Sequence, residues 1–202
     1  MRRGRGIFWI VLGLLLIVAA LCLALYNFNV QYTAGAEADR VLEELEAVIP
    51  DDAPDPDDEE APPYYVVEPH IDMPTVPLDG RKYIGVLEIP KLELRLPVLS
   101  EWSYDGLAVS PCRYSGSVYL GDMVICAHNY NTYFGKLATL QPEDEVYFTD
   151  MSGNRFIYSV GALETLEPTQ VQDMRIGDWD LTLFTCTVGG RARVAVRCER
   201  EN

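Results

Sequence analysis

Three consecutive pieces decide the reading of this chain: Leu181-Thr182-Leu183-Phe184-Thr185-Cys186, then Thr187-Val188-Gly189-Gly190-Arg191-Ala192, then Arg193-Val194-Ala195-Val196-Arg197-Cys198. They read as a strand, a compact Gly-Gly turn and a second strand. Alternation puts Arg191, Arg193 and Arg197 on one face of the second strand and Val194, Val196 and Cys198 on the other, as in a half-buried strand. Six further runs of this kind lie upstream, at 83–89, 95–99, 117–119, 123–127, 146–149 and 155–160. Pro90, Pro97, Gly116, Gly121, Pro142 and Gly153 punctuate them. Eight short strands with such turn signals argue for a closed or sandwiched β architecture, and the roughly 120 residues from 81 to 202 suffice for one domain. Residues 104–109 and 133–140 read as short helical turns, and no tandem repeat is visible.

The chain ahead of this domain is different in kind. Residues 7–26 (IFWIVLGLLLIVAALCLALY) are twenty residues without a charge, enough for one bilayer crossing as a helix. Arg2, Arg3 and Arg5 precede the span and acidic residues follow it, which predicts a cytoplasmic N-terminus and an outward domain. Ala34-Gly35-Ala36 resembles a signal-peptide cleavage site, but the apolar run is longer than such peptides carry, so residues 1–28 are read as an uncleaved anchor. Leu21 stands before Cys22 where a lipoprotein would have a small residue, so Cys22 reads as an apolar membrane residue.

Val41, Leu42, Leu45 and Val48 recur at helical spacing and predict a juxtamembrane helix over 29–49. Residues 50–80 read as an acidic, Pro-rich linker: 50–63 alone (PDDAPDPDDEEAPP) hold seven acids and five prolines. The net charge of −15 is correspondingly uneven, with 4 basic and 15 acidic side chains in residues 1–79 against 12 and 16 in residues 80–202. The acidity belongs mainly to the stalk. With no basic stripe, nucleic-acid binding is excluded.

Candidate chemistry is sparse. Cys186 closes one strand, His128 follows the apolar run Met123-Val124-Ile125-Cys126-Ala127, and Arg193 opens the last strand. A thiol, an imidazole and a guanidinium at strand ends suit acyl transfer: a nucleophile, an acid/base and an oxyanion partner. Singly, each is more often structural. A buried cysteine packs as a small apolar residue, and Arg191 and Arg197 share the face of Arg193. His70, in irregular chain with no cysteine beside it, reads as solvated or loosely packed. Glu143-Asp144-Glu145 reads as a solvated turn, because three adjacent acids cannot wrap a cation that wants 6–8 oxygens. No metal or other cofactor is expected. Cys112 and Cys126 flank a hairpin and are the pair best placed to bridge if an exported domain oxidises.

Taken together, these segments resemble the sortases, membrane-anchored cysteine transpeptidases of Gram-positive bacteria. Thr182-Leu183-Phe184-Thr185-Cys186 fits that family's Thr-Leu-x-Thr-Cys signature. Residues 84–91 (IGVLEIPK) with Leu96-Pro97-Val98 look like its opening strands, and residues 124–129 with Phe134-Gly135-Lys136-Leu137 look like its histidine segment. Arg193-Val194-Ala195-Val196 looks like its arginine strand. The resemblance covers residues 81–202, in order.

It implies an eight-stranded β-barrel of the sortase type with short helices. Cys186 would be the nucleophile, His128 the acid/base and Arg193 the substrate or oxyanion stabiliser, with Thr185 and Asn129 contacting substrate. The implied substrates are secreted proteins with a Leu-Pro-x-Thr-Gly-like sorting signal, joined to an amine of the cell wall or of a pilin. The chain departs from the family in having Ala127 before the histidine, where glycine is usual, and in a short interval between Cys186 and Arg193. No Asp-Pro-aromatic lid motif and no second span is seen, which favours wall anchoring over pilus assembly. The competing readings are a protease that releases its substrate and a non-catalytic scaffold or adhesion domain on the same barrel.

Overall fold

The computed structural model describes residues 2–50, 63–170, 172–175 and 177–201. Residues 51–62 of the expected acidic linker lie outside them. The chain forms two compact units, residues 1–33 and 34–202. Helix α1 (Arg2–Glu46) belongs to both. In the first unit it is apolar all round and unpacked: Phe8, Leu14, Leu16, Leu21 and Leu25 are all exposed. By length and composition it is the one helix among the described residues able to cross a membrane.

In the second unit the end of α1 packs on the barrel. Ala34, Ala38, Val41 and Leu45 are buried, a stripe at the i, i+4, i+7, i+11 spacing of one helical face. Small residues begin this stripe, so the backbone comes close to the domain. Val48, expected on the same face, is exposed because the helix stops at Glu46 and the chain turns out of phase. Arg95 pairs with Glu46 at 2.7 Å, and Arg40 of α1 pairs with Asp79.

The strands are β1 (Val76–Leu78), β2 (Arg81–Ile89), β3 (Leu94–Leu99), β4 (Cys112–Ser115), β5 (Met123–Cys126), β6 (Glu145–Asp150), β7 (Arg155–Leu166), β8 (Leu181–Cys186) and β9 (Arg193–Arg200). Their order is β1-β2-β3-β4-β5-β8-β9-β7-β6, and β6 pairs back onto β2. Eight strands, β2 to β9, therefore close a barrel, as expected from the sequence, and β1 extends the edge of β2 beyond the stretch that β6 occupies. Closure leaves few unpaired edges. Leu87, Ile89, Leu96, Val98, Ile125, Phe148, Phe156, Leu183 and Val196 fill the interior. Short helices connect the strands: α2 (Tyr64–Val67), α3 (Tyr104–Leu107) and 3-10 turns at Pro90–Leu92, Leu137–Thr139 and Gln172–Arg175.

Two strand expectations are corrected. Residues 117–119 form a turn, and the strand lies earlier, at Cys112–Ser115. Val118 is buried and gives the run its apolar look, but Gly116 takes a φ of 73°, and the Asp122 carboxylate accepts a bond from the Ser117 N–H at 2.8 Å, closing a loop. Strand β7 does not stop at Val160. Gly161 marks a bulge between Val160 and Ala162, and the bent strand passes from β6 to pair along β9 as far as Leu166.

Candidate active site

Strands β5 and β8 run parallel, with Cys126 opposite Phe184. The pairing continues one residue further, where the Ala127 N–H donates to the Phe184 carbonyl at 3.3 Å. The Thr185 hydroxyl donates to the Ala127 carbonyl at 2.8 Å. One more step along this register brings His128 level with Cys186. Strands β8 and β9 are antiparallel, and there Cys186 pairs directly with Arg193.

Side-chain alternation fixes the face. On β5, Met123, Ile125 and Ala127 enter the core, which sends Val124 and Cys126, and next His128, outward. On β8, Leu181 and Leu183 enter the core and Thr182, Phe184 and Cys186 point away. On β9, Val194, Val196 and Cys198 point inward, so Arg193 shares the outer face with Cys186. Three adjacent strands thus deliver the imidazole, thiol and guanidinium to one end of one outer face. Thr185 falls on the other parity. It is buried, and its hydroxyl holds β5 to β8.

The three arginines of this face differ in their neighbours. Arg193 is half-buried and donates only to carbonyls of its own hairpin, Gly190 at 3.2 Å and Ala192 at 3.1 Å. No carboxylate pairs with it among the described residues. Arg197 is buried and committed: it pairs with Glu164 at 2.8 Å and donates to Met174 O at 2.9 Å, Asp173 O at 2.7 Å and Thr182 Oγ1 at 3.1 Å. Arg191 is exposed in the turn. The turn is tight because Gly189 and Gly190 both adopt positive φ, 83° and 71°, which a side chain would resist. Thr187 locks it, donating from its N–H to Ala192 O at 2.9 Å while its hydroxyl accepts from the Ala192 N–H at 3.0 Å. At its tip Val188 stands almost fully exposed.

The loop after β5 folds back on itself. Phe134 N donates to His128 O at 3.2 Å, and Gly135 N donates to Tyr130 O at 2.8 Å. A Cβ at Gly135 would lie 2.8 Å from the carbonyl oxygens of both Asn129 and Tyr130, so glycine is required there by close approach. Asn129 is half-buried beside His128. The Tyr130 ring stacks on the His128 ring with centroids 5.0 Å apart. Burial holds the His128 imidazole below its ordinary pKa, which favours the neutral form at neutral pH.

Cys112, Cys126 and Cys198 are buried free thiols. Burial pushes Cys112 up to about 11 and Cys198 up to about 12, and pushes Cys126 up as well. Cys112 and Cys126 are direct cross-strand partners, yet unbridged. Cys186 is the only half-exposed thiol of the barrel. Beside its strand lies an aromatic ledge, with Tyr114 edge-on to Phe184 at 5.5 Å and Trp102 next to it at 6.2 Å. Among the described residues no three His, Cys, Asp or Glu side chains gather as a metal would need.

A family model described as Sortase domain matches residues 87–201, more than half of the chain. The chain belongs to the sortase family. Solved structures agree. Sortase C1 from Streptococcus agalactiae is similar at TM-score 0.55 and 25% identity, over 62% of this chain and 71% of its own. Sortase C1 from Streptococcus suis is 28% identical at TM-score 0.52, over 59% and 73%. Sortase C from Clostridium perfringens SM101 is 25% identical at TM-score 0.52, over 59% and 70%. No curated protein matches the sequence. This sortase thus has the fold of a family of cysteine transpeptidases, with a candidate membrane-spanning helix ahead of it.

Proposed function

We propose that this sortase is a membrane-anchored transpeptidase that cuts a Leu-Pro-x-Thr-Gly-like sorting signal through a thioester at Cys186. The observation that supports this reading is the pairing of Cys186 with Arg193 across β8 and β9, beside a β5–β8 register that, continued past Ala127, puts His128 level with Cys186. The Cys186 sulfur attacks the threonine carbonyl as its thiol proton passes to the neutral His128 imidazole. The Arg193 guanidinium, which pairs with no carboxylate among the described residues, stabilises the oxyanion that forms. His128 protonates the leaving glycine amine, the C–N bond breaks, and an acyl-enzyme remains. An incoming amine then attacks the thioester and gives its proton to His128, which passes it to the departing Cys186 sulfur.

Arg2, Arg3 and Arg5 before the apolar helix favour a cytoplasmic N-terminus and a barrel outside the membrane, where sorting signals and wall amines are available. Asn129 lies where it can contact the signal, and Thr185 takes part by tying the histidine strand to the cysteine strand. The acceptor is an amine of the cell wall. Similarity to sortase C structures favours a second reading, in which the acceptor is a lysine of a pilin.

Incubation of the protein with a sorting peptide, with and without an added amine, tests the proposal. Amine incorporation dependent on Cys186 supports it. Cleavage that ignores the amine supports a protease, and failure of every sorting peptide to acylate the protein supports a scaffold.

A further inference from the structure

We infer that Tyr133 is a positioning residue for the His128 imidazole, and that the end of helix α1 supplies part of its support. This rests on the acid/base reading of His128.

Three rings stand in sequence. Tyr133 lies 5.7 Å from Tyr130, with planes 34° apart, and Tyr130 lies 5.0 Å from His128, with planes 29° apart. The outer ring of this stack, His128, is half-buried, whereas Tyr133 is fully buried. The Tyr133 hydroxyl faces two backbone carbonyls, Ala34 O at 2.9 Å on α1 and Val109 O at 2.7 Å after α3. It therefore clamps the histidine loop between two elements that lie far from it in sequence. Burial pushes the phenol well above its ordinary pKa, so the donor persists at working pH.

The helix reaches this hydroxyl because its residues there are small. Ala34 and Ala38 enter the core beside Tyr133, and a Cβ at Gly35 would lie 2.9 Å from Thr132 Cγ2. A larger residue at Gly35 drives helix and loop apart without touching His128. The backbone half of the clamp is local: Tyr133 N donates to Tyr130 O at 2.9 Å. The hydroxyl is what ties this turn to the rest of the domain. Proton delivery to a leaving amine is sensitive to small displacements, so a loosened imidazole slows turnover more than binding.

The chain has two histidines, and His70 is exposed, which makes it an internal reference. The full chain in detergent micelles, carrying 13C-labelled histidine, gives two imidazole signals, and stacking on Tyr130 displaces that of His128 upfield. Tyr133→Phe keeps the ring and removes the hydroxyl. The expected result is loss of part of that upfield displacement, with kcat for a sorting peptide lower by about ten-fold and KM held within about two-fold. Tyr130→Leu abolishes the displacement. Gly35→Ala, which leaves every aromatic ring in place, moves the signal in the same direction as Tyr133→Phe. The inference is overturned if Tyr133→Phe and Gly35→Ala lower the melting temperature but leave the His128 signal or kcat unmoved, since that is what a purely structural tyrosine would do. Retained turnover in His128→Gln overturns the acid/base reading instead, and the two failures are told apart by the imidazole signal, which needs no substrate.

Discussion

Arg193 and Arg197 lie on the same face of β9, about 13 Å apart along the strand, and their surroundings predict opposite phenotypes. Arg197→Met removes a buried charge that holds Glu164, Thr182 Oγ1 and the carbonyls of Asp173 and Met174. Each buried acceptor left without a donor costs about 1–3 kcal/mol. The loss is offset because the guanidinium no longer has to be desolvated, and Glu164, 42% exposed, is returned to water at little cost. The balance is a destabilisation of about 3 kcal/mol, at the low end for breaking a buried pair from one side. For a unit of this size that lowers the barrel's melting temperature by about 6–12 °C. Arg193→Met removes only bonds to the hairpin's own carbonyls and should change stability by less than about 1 kcal/mol, while lowering kcat by about 100-fold through loss of one oxyanion partner. Thermal unfolding followed by tryptophan fluorescence, with peptide turnover measured below both transitions, separates the two. If Arg197→Met kept its melting temperature and lost turnover as Arg193→Met does, the assignment of the arginines would be refuted.

Thiol accessibility gives a second expectation: in the native barrel a maleimide labels Cys186, whereas Cys112, Cys126 and Cys198 react only after unfolding, and native labelling of the buried three would contradict the packing. A third concerns pH. The folded His128 has a pKa below the ordinary 6.5, so between those two values the unfolded chain binds a proton that the folded chain does not. Stability therefore falls as pH drops through that window. Urea midpoints measured from pH 7.5 down to pH 5 should show a fall that His128→Gln reduces; equal slopes for both proteins would count against the buried, neutral imidazole.

Most of the barrel was legible because its signals are local. The strand 181–186, the Gly-Gly turn and the strand from Arg193 carry period-2 alternation and a turn that only glycine adopts easily, and their register follows from the turn. Val118 misled because burial in a loop and burial in a strand leave the same apolar letter. The strand expected to stop at Val160 runs on because Gly161 lets it bulge and bend, a feature without the period-2 signal of a regular strand. The site was legible residue by residue from local pattern, and as a set only through the family resemblance. His128 and Cys186 lie 58 residues apart, and only the parallel pairing of β5 with β8 makes them neighbours. Which arginine faces the thiol depended on where Glu164 and residues 173–174 fold, contacts that no local pattern encodes. The stripe on α1 was half read: Val41 and Leu45 announce themselves, while Ala34 and Ala38 are buried through close backbone approach and carry no hydrophobic signal of their own.

The account turns on a covalent bond between Cys186 and the threonine of a sorting signal. Mixing the full chain with a Leu-Pro-x-Thr-Gly peptide, quenching in acid and weighing the intact protein tests it most directly. The predicted result is a mass increase equal to the peptide's acyl portion, mapped by digestion to Cys186, absent in Cys186→Ala and discharged by an added amine. An adduct on another residue, or one that persists in Cys186→Ala, would contradict it.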